Sequence, residues 1–231
     1  MFNLAKHKVF LIQILKDIYT DPMLRTVLGF KGGTAALLFY DLPRFSVDLD
    51  FDLLDESQKE VVFQRVKALL AEHGVLYEAI EKQYTLFFLV SYERGERAIK
   101  VEISKRQGSS AYELKNYLGI PMLVVKPEDM AAGKLAAILM RNKFAARDVY
   151  DICFFLKNNW RINEKVVQEK TGLSLAEALG KAIEIIQHLP RNQIMHGLGD
   201  LVDQKQKVWV KEKMQEETLF SLRLYRETMV K

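Results

Sequence analysis

Cysteine, histidine and long apolar runs are scarce in this sequence of 231 residues. The single cysteine, Cys153, excludes an intramolecular disulfide and a cysteine-rich zinc site, and its apolar neighbours predict a small buried side chain. The four histidines lack ligand spacing, which argues against histidine-based zinc or triad chemistry. No apolar stretch reaches membrane length, and the N-terminus lacks the pattern of a signal peptide. These absences predict a soluble, cytoplasmic protein without a membrane partner.

The charge of the chain is small and unevenly distributed. Residues 1–125 contain 16 Lys and Arg against 16 Asp and Glu, whereas residues 126–231 contain 18 against 14. The whole net charge of +4 therefore lies in the C-terminal half. This favours a phosphate-rich partner such as RNA on that half, although a small lysine surplus is more often an ordinary solvated surface.

Strand patterns are concentrated in the first half of the chain and helical patterns in the second. The predicted strands are 27–30, 45–51, 76–81, 85–92, 98–104 and 123–125. The predicted helices are 4–20, 35–40 with Thr34 as its cap, 57–72, 127–141, 147–158, 163–170, 174–188 and 205–229. This segregation predicts an α+β fold with a boundary near residues 121–127, which gives two domains, 1–125 and 126–231.

The predicted strand 45–51 carries the most informative pattern. Ser46, Asp48 and Asp50 alternate with apolar residues and therefore lie on one face. Two adjacent carboxylates repel each other unless a cation lies between them, and Mg²⁺ (or Mn²⁺) is held by one or two carboxylates together with substrate phosphates. The alternative is a pair of solvated acids that protects an edge strand from aggregation.

A glycine pair precedes these acids. Gly32, Gly33 and Thr34 follow a short strand and lead into a helix, where backbone N–H groups can bind phosphates. The spacing differs from a Walker loop and from a dinucleotide fingerprint, so the pair taken alone is a weak signal. Arg44 could neutralise a phosphate and Ser46 could donate a hydrogen bond to one, or both could be ordinary polar residues at a strand edge.

Glu102 is the third candidate acid. In the alternating segment 100–103 it shares a face with Lys100. If this strand pairs with 45–51, three carboxylates meet and can bind two metals, with Glu102 as a metal ligand or as the acceptor of the attacking hydroxyl proton. The alternative is an exposed residue paired with Lys100 or Arg106.

The order of these segments resembles a known superfamily. Gly32-Gly33-Thr34 followed by Asp48-Leu49-Asp50 is similar to the signature of the DNA polymerase β-like nucleotidyltransferases. More narrowly, segments 30–35, 44–51, 133–135 and 146–151 resemble the AbiEii/AbiGii toxin family, over about residues 25–155. The resemblance implies a polymerase-β-like palm, a mixed sheet with flanking helices, in 1–125, followed by a helical domain in 126–231.

The resemblance also implies roles for individual residues. Residues 32–34 would hold the nucleotide phosphates, Asp48 and Asp50 the metal, and Lys134 a phosphate as part of the catalytic set. Asp148 matches the acid of the last motif, and Glu102 stands where many superfamily members have aspartate. From the residues alone, Lys134 could be an ordinary helix lysine and Asp148 a charge at a helix N-terminus.

These patterns predict a metal-dependent nucleotidyltransferase that transfers NMP from an NTP to an acceptor hydroxyl and releases pyrophosphate. The family resemblance implies that the acceptor is RNA, at the 3′ end of tRNA. It also implies that the protein is the toxin of a toxin–antitoxin or abortive-infection pair with a cognate antitoxin. The alternatives are a non-catalytic NTP-binding regulatory module and a transferase with a protein or small-molecule acceptor. No motif indicates whether ATP, GTP or CTP is used.

Overall fold

A computed structural model describes residues 3–228. The chain divides into two compact units. The first unit comprises residues 3–41, 45–107 and 112–125, and the second comprises residues 42–44, 108–111 and 126–228. The assignment of 1–125 and 126–231 as functional domains remains a proposal.

The first unit contains a β-sheet and four α-helices among the described residues. The helices are α1 (Leu4–Thr20), α2 (Leu24–Val27), α3 (Gly32–Tyr40) and α4 (Lys59–Glu72), with a short 3-10 helix at Glu56–Gln58. The strands are β1 (Leu28–Lys31), β2 (Asp48–Leu53), β3 (Val75–Glu81), β4 (Thr85–Ser91), β5 (Ile99–Ser104), β6 (Tyr112–Tyr117) and β7 (Ile120–Val125). The sheet and the helices confirm the predicted α+β class.

The strands form one mixed sheet in the order β3-β4-β5-β2-β1-β7-β6. β2 pairs with β5 and β1 pairs with β7 in parallel, whereas the other neighbouring strands are antiparallel. The consecutive strands β4 and β5 form an antiparallel hairpin. The strands β5, β2 and β1 are therefore interior strands, with partners on both sides.

Alternation of apolar and polar residues determines which face of the interior strands is buried. Leu49 and Phe51 on β2 and Val101 on β5 are fully buried, whereas the polar residues between them are partly exposed. Burial of each such side chain stabilises the fold by about 1.5–3 kcal/mol. Tyr19 on α1 donates its hydroxyl hydrogen towards the carbonyl oxygens of Leu28 and Leu123, at 3.1 and 3.2 Å. Helix α1 therefore covers part of this sheet, at β1 and β7.

The second unit is helical in the described residues from Lys126 onwards. Its helices are α5 (Pro127–Met140), α6 (Ala146–Lys157), α7 (Glu164–Thr171), α8 (Leu175–Gln187), α9 (Gln204–Glu212) and α10 (Met214–Thr228), with a 3-10 turn at Arg191–Gln193. Ser174 and Glu177 form a capping box at the start of α8. Cys153 on α6 is fully buried, as predicted.

Several local predictions are wrong. Thr34 does not cap α3, because the helix already begins at Gly32. Strand β6 was not predicted, and β2 begins at Asp48, so Arg44 and Ser46 precede the strand. The helix predicted at 205–229 is interrupted at Lys213, and residue 229 lies outside the described residues. None of the described helices has the length and apolar character needed to cross a membrane.

Candidate active site

The two strands that carry the predicted acids lie side by side. β2 and β5 are parallel, with Asp48 opposite Lys100 and Asp50 opposite Glu102. Since successive side chains point to opposite faces of a strand, these four side chains share one face of the sheet. The strand pairing on which the hypothesis for Glu102 depended is therefore present. It brings three carboxylates onto the polar face of two neighbouring strands.

Helix α3 begins beside these acids because β1 pairs with β2. Lys31 at the end of β1 lies opposite Asp50, and Gly32 then turns the chain into the helix with a φ of 80°. A Cβ atom at Gly32 would overlap the Asp50 carboxylate, so both the turn and the close approach require glycine. The Thr34 hydroxyl donates a hydrogen bond to the carbonyl oxygen of Asp48. The first turn of α3 therefore lies against the acidic part of β2.

Asp50 carries the least compensated charge of this face. Its carboxylate is partly buried, and among the described residues none donates a hydrogen bond to it. Burial raises the pKa of Asp50, and the negative charges of Asp48 and Glu102 raise it further, against the opposing effects of Lys100 and Lys31. A cation beside Asp50 would reverse this effect and favour the ionised carboxylate.

The donor atoms of this face fit a magnesium or manganese ion. Mg²⁺ prefers oxygen ligands and is held by one or two carboxylates, with water and substrate phosphates as its other ligands. Asp48 and Asp50 provide such carboxylates. Within residues 3–228, no three His, Cys, Asp or Glu side chains are gathered closely enough to hold a metal by themselves. The residues therefore suit a metal that arrives with a nucleotide better than a closed structural site.

Lys100 is a member of the acidic face whose role the sequence patterns did not reveal. Its Nζ lies 3.2 Å from Asp48 Oδ2 and 3.3 Å from Glu102 Oε2. Pairing with Lys100 was one of the alternatives for Glu102, and the structure contains this ion pair. The sequence indicated only that Lys100 stands two residues before Glu102, which places both side chains on the same face of their strand. The contact between Lys100 and Asp48 depends on the register of β2 with β5, which the sequence does not reveal.

Asp52 is a second residue that the sequence patterns missed. It extends the alternation of Asp48 and Asp50 by one period, and it forms an ion pair with Lys31. The Tyr112 hydroxyl also donates a hydrogen bond to Asp52, at 2.6 Å. The Tyr112 ring lies against Gly29, where a Cβ atom would overlap the ring. Asp52 is thus satisfied by a cation and a hydroxyl group, unlike Asp50.

The second unit contains a separate cluster of buried charges. Arg44 donates two hydrogen bonds to the Asp151 carboxylate, at 2.5 and 2.7 Å. Lys134 on α5 lies 2.7 Å from Asp151 Oδ2 and 2.9 Å from Asp148 Oδ1, both on α6. Arg141 lies 2.9 Å from the other oxygen of Asp148. Lys134 and Asp148, to which the family resemblance assigned functional roles, are therefore in direct contact.

Burial and ion pairing oppose each other in this cluster. Burial alone would raise the pKa of Asp151, but Arg44 and Lys134 outweigh it and hold that pKa below its usual value. Burial would likewise lower the pKa of Lys134, but the charges of Asp148 and Asp151 raise it. Asp151 and Lys134 are therefore both ionised near neutral pH. The Asp151 carboxylate therefore balances the positive charges of Arg44 and Lys134.

The predicted site residues thus occupy two groups within the described structure. The first unit holds Gly32, Gly33, Thr34, Ser46, Asp48, Asp50 and Glu102. The second unit holds Arg44, Lys134 and Asp148. Ser46 is 8% exposed and lies in the segment that leads into β2. The roles of these residues in binding and catalysis remain predictions.

A family comparison identifies the class of protein that carries this arrangement. The profile of the family described as nucleotidyl transferase AbiEii toxin, type IV toxin–antitoxin system, matches residues 13–191. The match includes most of the chain and all the residues of both groups. The chain belongs to the AbiEii nucleotidyltransferase toxin family.

Two crystal structures from Helicobacter pylori have a similar fold. JHP933 is 23% identical, with a TM-score of 0.68 over 100% of this chain and 95% of its own. A second Helicobacter pylori protein, described as a candidate nucleotidyltransferase, is 23% identical, with a TM-score of 0.67 over 98% and 96%. Among curated proteins, none is significantly similar in sequence to this chain. At this level of identity the two structures establish the fold alone.

Membership in the AbiEii family defines the class of activity. The protein is a nucleotidyltransferase of a toxin family, and this family implies a nucleoside triphosphate substrate and a cognate antitoxin. The predicted family and the predicted α+β fold are both confirmed.

Proposed function

We propose that this AbiEii family member transfers a nucleoside monophosphate from an NTP to a hydroxyl group of an RNA acceptor, the 3′ end of a tRNA. The reaction depends on Mg²⁺ or Mn²⁺ held at Asp48 and Asp50. The activity makes the protein the toxin of a toxin–antitoxin pair with a role in defence against phage.

One observation carries this proposal. The carboxylates of Asp48, Asp50 and Glu102 lie on one face of β2 and β5, and the first turn of α3 begins at Gly32 beside Asp50. The first N–H groups of a helix have no partner within the helix, and they bind phosphate oxygens well. Oxygen ligands for a divalent cation and N–H donors for phosphates are therefore adjacent within the first unit.

The residues of α3 are assigned to the triphosphate. Gly32 and Gly33 allow phosphate oxygens to approach the backbone N–H groups, because neither residue has a side chain. The Thr34 hydroxyl hydrogen is used in the bond to Asp48, so at this position we assign phosphate binding to the backbone N–H. A metal bound at Asp48 and Asp50 would neutralise phosphate charge and lower the pKa of the attacking hydroxyl.

The transfer itself is a substitution at the α-phosphorus. The acceptor hydroxyl oxygen forms a bond to this phosphorus, the bond to the β-phosphate oxygen breaks, and pyrophosphate leaves. Glu102 either accepts the hydroxyl proton or acts as the third metal ligand. In both roles it must lose part of its ion pair with Lys100.

Arg44, Ser46, Lys134 and Asp148 are proposed participants on the basis of the family. Lys134 suits a phosphate because its ammonium is a compact charge, and Asp148 holds it at 2.9 Å. Arg44 is 4% exposed and bound to Asp151. Its contribution to nucleotide binding therefore requires exchange of this partner, or it acts by orienting Asp151, which also binds Lys134.

The first experiment is a transfer assay. Purified protein is incubated with Mg²⁺, total RNA and each α-labelled NTP in turn, and label is followed onto RNA and onto protein. We expect label on RNA of tRNA size, from one NTP in preference to the others. The Asp48→Ala variant should retain its fold, since the substitution also removes like-charge repulsion, but its transfer should fall by at least about 10³-fold.

Asp200→Ala is the matched control, since this exposed acid lies outside both groups and should leave the transfer rate unchanged. Wild-type turnover in Asp48→Ala would contradict the proposed mechanism. Label on protein alone would replace the RNA acceptor by a side chain. NTP binding without any transfer would favour the non-catalytic module.

A further inference from the structure

The ammonium group of Lys100 lies within the acidic face itself. It is within 3.2 and 3.3 Å of carboxylate oxygens of Asp48 and Glu102, two of the three acids assigned to metal binding. The Lys100 side chain is 29% exposed and that of Asp48 is 18% exposed, so this ion pair is partly buried. The contact bridges β2 and β5, since Asp48 and Lys100 are opposite each other in the parallel register.

Charge balance distinguishes Lys100 from the other lysine of this face. Lys31 is paired with Asp52, which the Tyr112 hydroxyl also satisfies. Lys100 is left with three carboxylates, those of Asp48, Asp50 and Glu102, and its ammonium group contacts two of them. The Lys100 ammonium group therefore contributes one positive charge to a face with three carboxylates. The face then retains two negative charges, which a single divalent cation would neutralise.

We propose that Lys100 is a built-in cation that occupies the place between Asp48 and Glu102, so that the acidic face takes one divalent metal, at Asp48 and Asp50, instead of two. The inference rests on the proposed metal-dependent function and deepens it. Asp48 contacts Lys100 through Oδ2, which leaves Oδ1 and the Asp50 carboxylate for the metal. Lys100 is thus a positioning residue, which holds Glu102 and Asp48 without metal.

The test counts bound metal ions. Mn²⁺ is titrated into the protein, and free Mn²⁺ is measured by its electron paramagnetic resonance signal in the wild type, Lys100→Met and Lys100→Arg. Lys100→Met should bind one additional Mn²⁺, because a positive charge about 3 Å from two carboxylates is removed. Lys100→Arg keeps the charge and should resemble the wild type.

Two further variants locate the effect. Lys115→Met is the matched control, since Lys115 on β6 is 30% exposed and lies 3.2 Å from Glu113, a similar pair away from the acidic face. It should bind Mn²⁺ as the wild type does. Adding Asp48→Asn to Lys100→Met should abolish the gained binding. Thermal unfolding gives an independent reading: in EDTA, Lys100→Met should melt below the wild type, and Mn²⁺ should raise its Tm more than that of the wild type.

The outcomes separate the two proposals. If Lys100→Met and the wild type bind the same number of Mn²⁺ ions, the role of Lys100 is wrong while the metal site stands. Mn²⁺ binding by neither protein would overturn the role of Lys100, whereas the proposed metal dependence would still be decided by the transfer assay, since the metal can arrive with the nucleotide. A gain of binding in Lys100→Met that survives the Asp48→Asn substitution would place the extra ion elsewhere and would also overturn the inference.

Discussion

At the scale of single residues, the Asp50 carboxylate explains why a glycine stands at position 32. Gly32 has a φ of 80°, and a Cβ atom there would overlap Asp50 Oδ2. Both the positive φ and the lack of room for a Cβ atom therefore require glycine at this position. A Gly-Gly pair in the sequence indicated a turn, but it did not show which side chain the turn accommodates.

Gly32→Ala should lower stability and activity together. We expect a loss of about 1–3 kcal/mol in the free energy of unfolding, from backbone strain plus displacement of Asp50, and at least about tenfold slower transfer. Urea unfolding and the transfer assay measure the two effects. Gly119→Ala is the control, because Gly119 has a φ of 82° and nothing within 4 Å of its Cβ position. It should show strain alone, and equal loss of activity in both variants would contradict a specific role for Gly32.

We expect the buried His7 to make the stability of the first unit depend on pH. Its ring is buried, with Nε2 2.9 Å from the Val47 carbonyl oxygen and Nδ1 3.1 Å from the Tyr92 hydroxyl. Burial lowers the pKa of His7 below 6.5, although the bond to Val47 acts in the opposite direction. The unfolded chain therefore takes up this proton more readily than the folded protein, and stability is lost as pH falls below about 6.5.

The corresponding test compares unfolding free energies between pH 7.5 and pH 5.5. The wild type should lose stability over this range, and His7→Gln should lose less, since it has no titrating group at this position. His188→Gln, a substitution of an exposed histidine, should follow the wild type. A His7→Gln variant with unchanged pH dependence would assign the loss to other groups.

At the scale of secondary-structure elements, buried ion pairs organise the helices α5 and α6. The Arg44–Asp151 pair is almost fully buried, with side-chain exposures of 2% and 0%. Desolvation makes such a pair a poor source of net stability, but removal of one partner leaves a buried charge and is costly. The pair therefore specifies how the segment 42–44 is held on α6.

Arg44→Met should destabilise the protein by about 3 kcal/mol, the low end for a broken buried pair, because Lys134 still compensates Asp151. The double variant Arg44→Met with Asp151→Leu should recover much of this loss. Arg65→Met is the control, since Arg65 is 49% exposed in its pair with Asp21 and its loss should cost less than about 1 kcal/mol. Equal costs for Arg44→Met and Arg65→Met in urea unfolding would show that burial is not decisive.

At the scale of the whole molecule, the net charge of +4 bears on the acceptor. Residues 126–231 carry the entire excess of basic residues, and we assign the contact with RNA to this half. Binding of a nucleic acid releases counterions, so its affinity falls steeply with salt, whereas binding of a neutral acceptor does not.

The KM for the RNA acceptor should therefore rise at least about tenfold between 50 and 200 mM salt, as expected for a few phosphate contacts. The kcat at saturating RNA should change much less. The assay is the labelled-NTP transfer reaction at fixed Mg²⁺. A KM that changes less than about twofold would argue for a protein or small-molecule acceptor instead of RNA.

The sequence by itself determined the elements with strong periodicity. The helix α1 and the strands β4 and β5 follow the apolar spacing, because burial of one face dominates their local energetics. It missed β6, whose residues lack clear alternation: Leu114 is 71% exposed, and the strand lies at the edge of the sheet. It also placed Asp48 and Asp50 on one face, since this depends only on the period of a strand.

The tertiary structure alone decided which residues meet across the sheet and between helices. The register of β2 with β5 brings Glu102 to Asp50 and places Lys100 at Asp48, and the Arg44–Asp151 pair joins residues 107 positions apart. Local patterns report burial and backbone preference, whereas these contacts depend on strand order and packing across the whole fold. For this reason the acids of the site were evident in the sequence, but the contacts of Lys100 with Asp48 and of Arg44 with Asp151 were not.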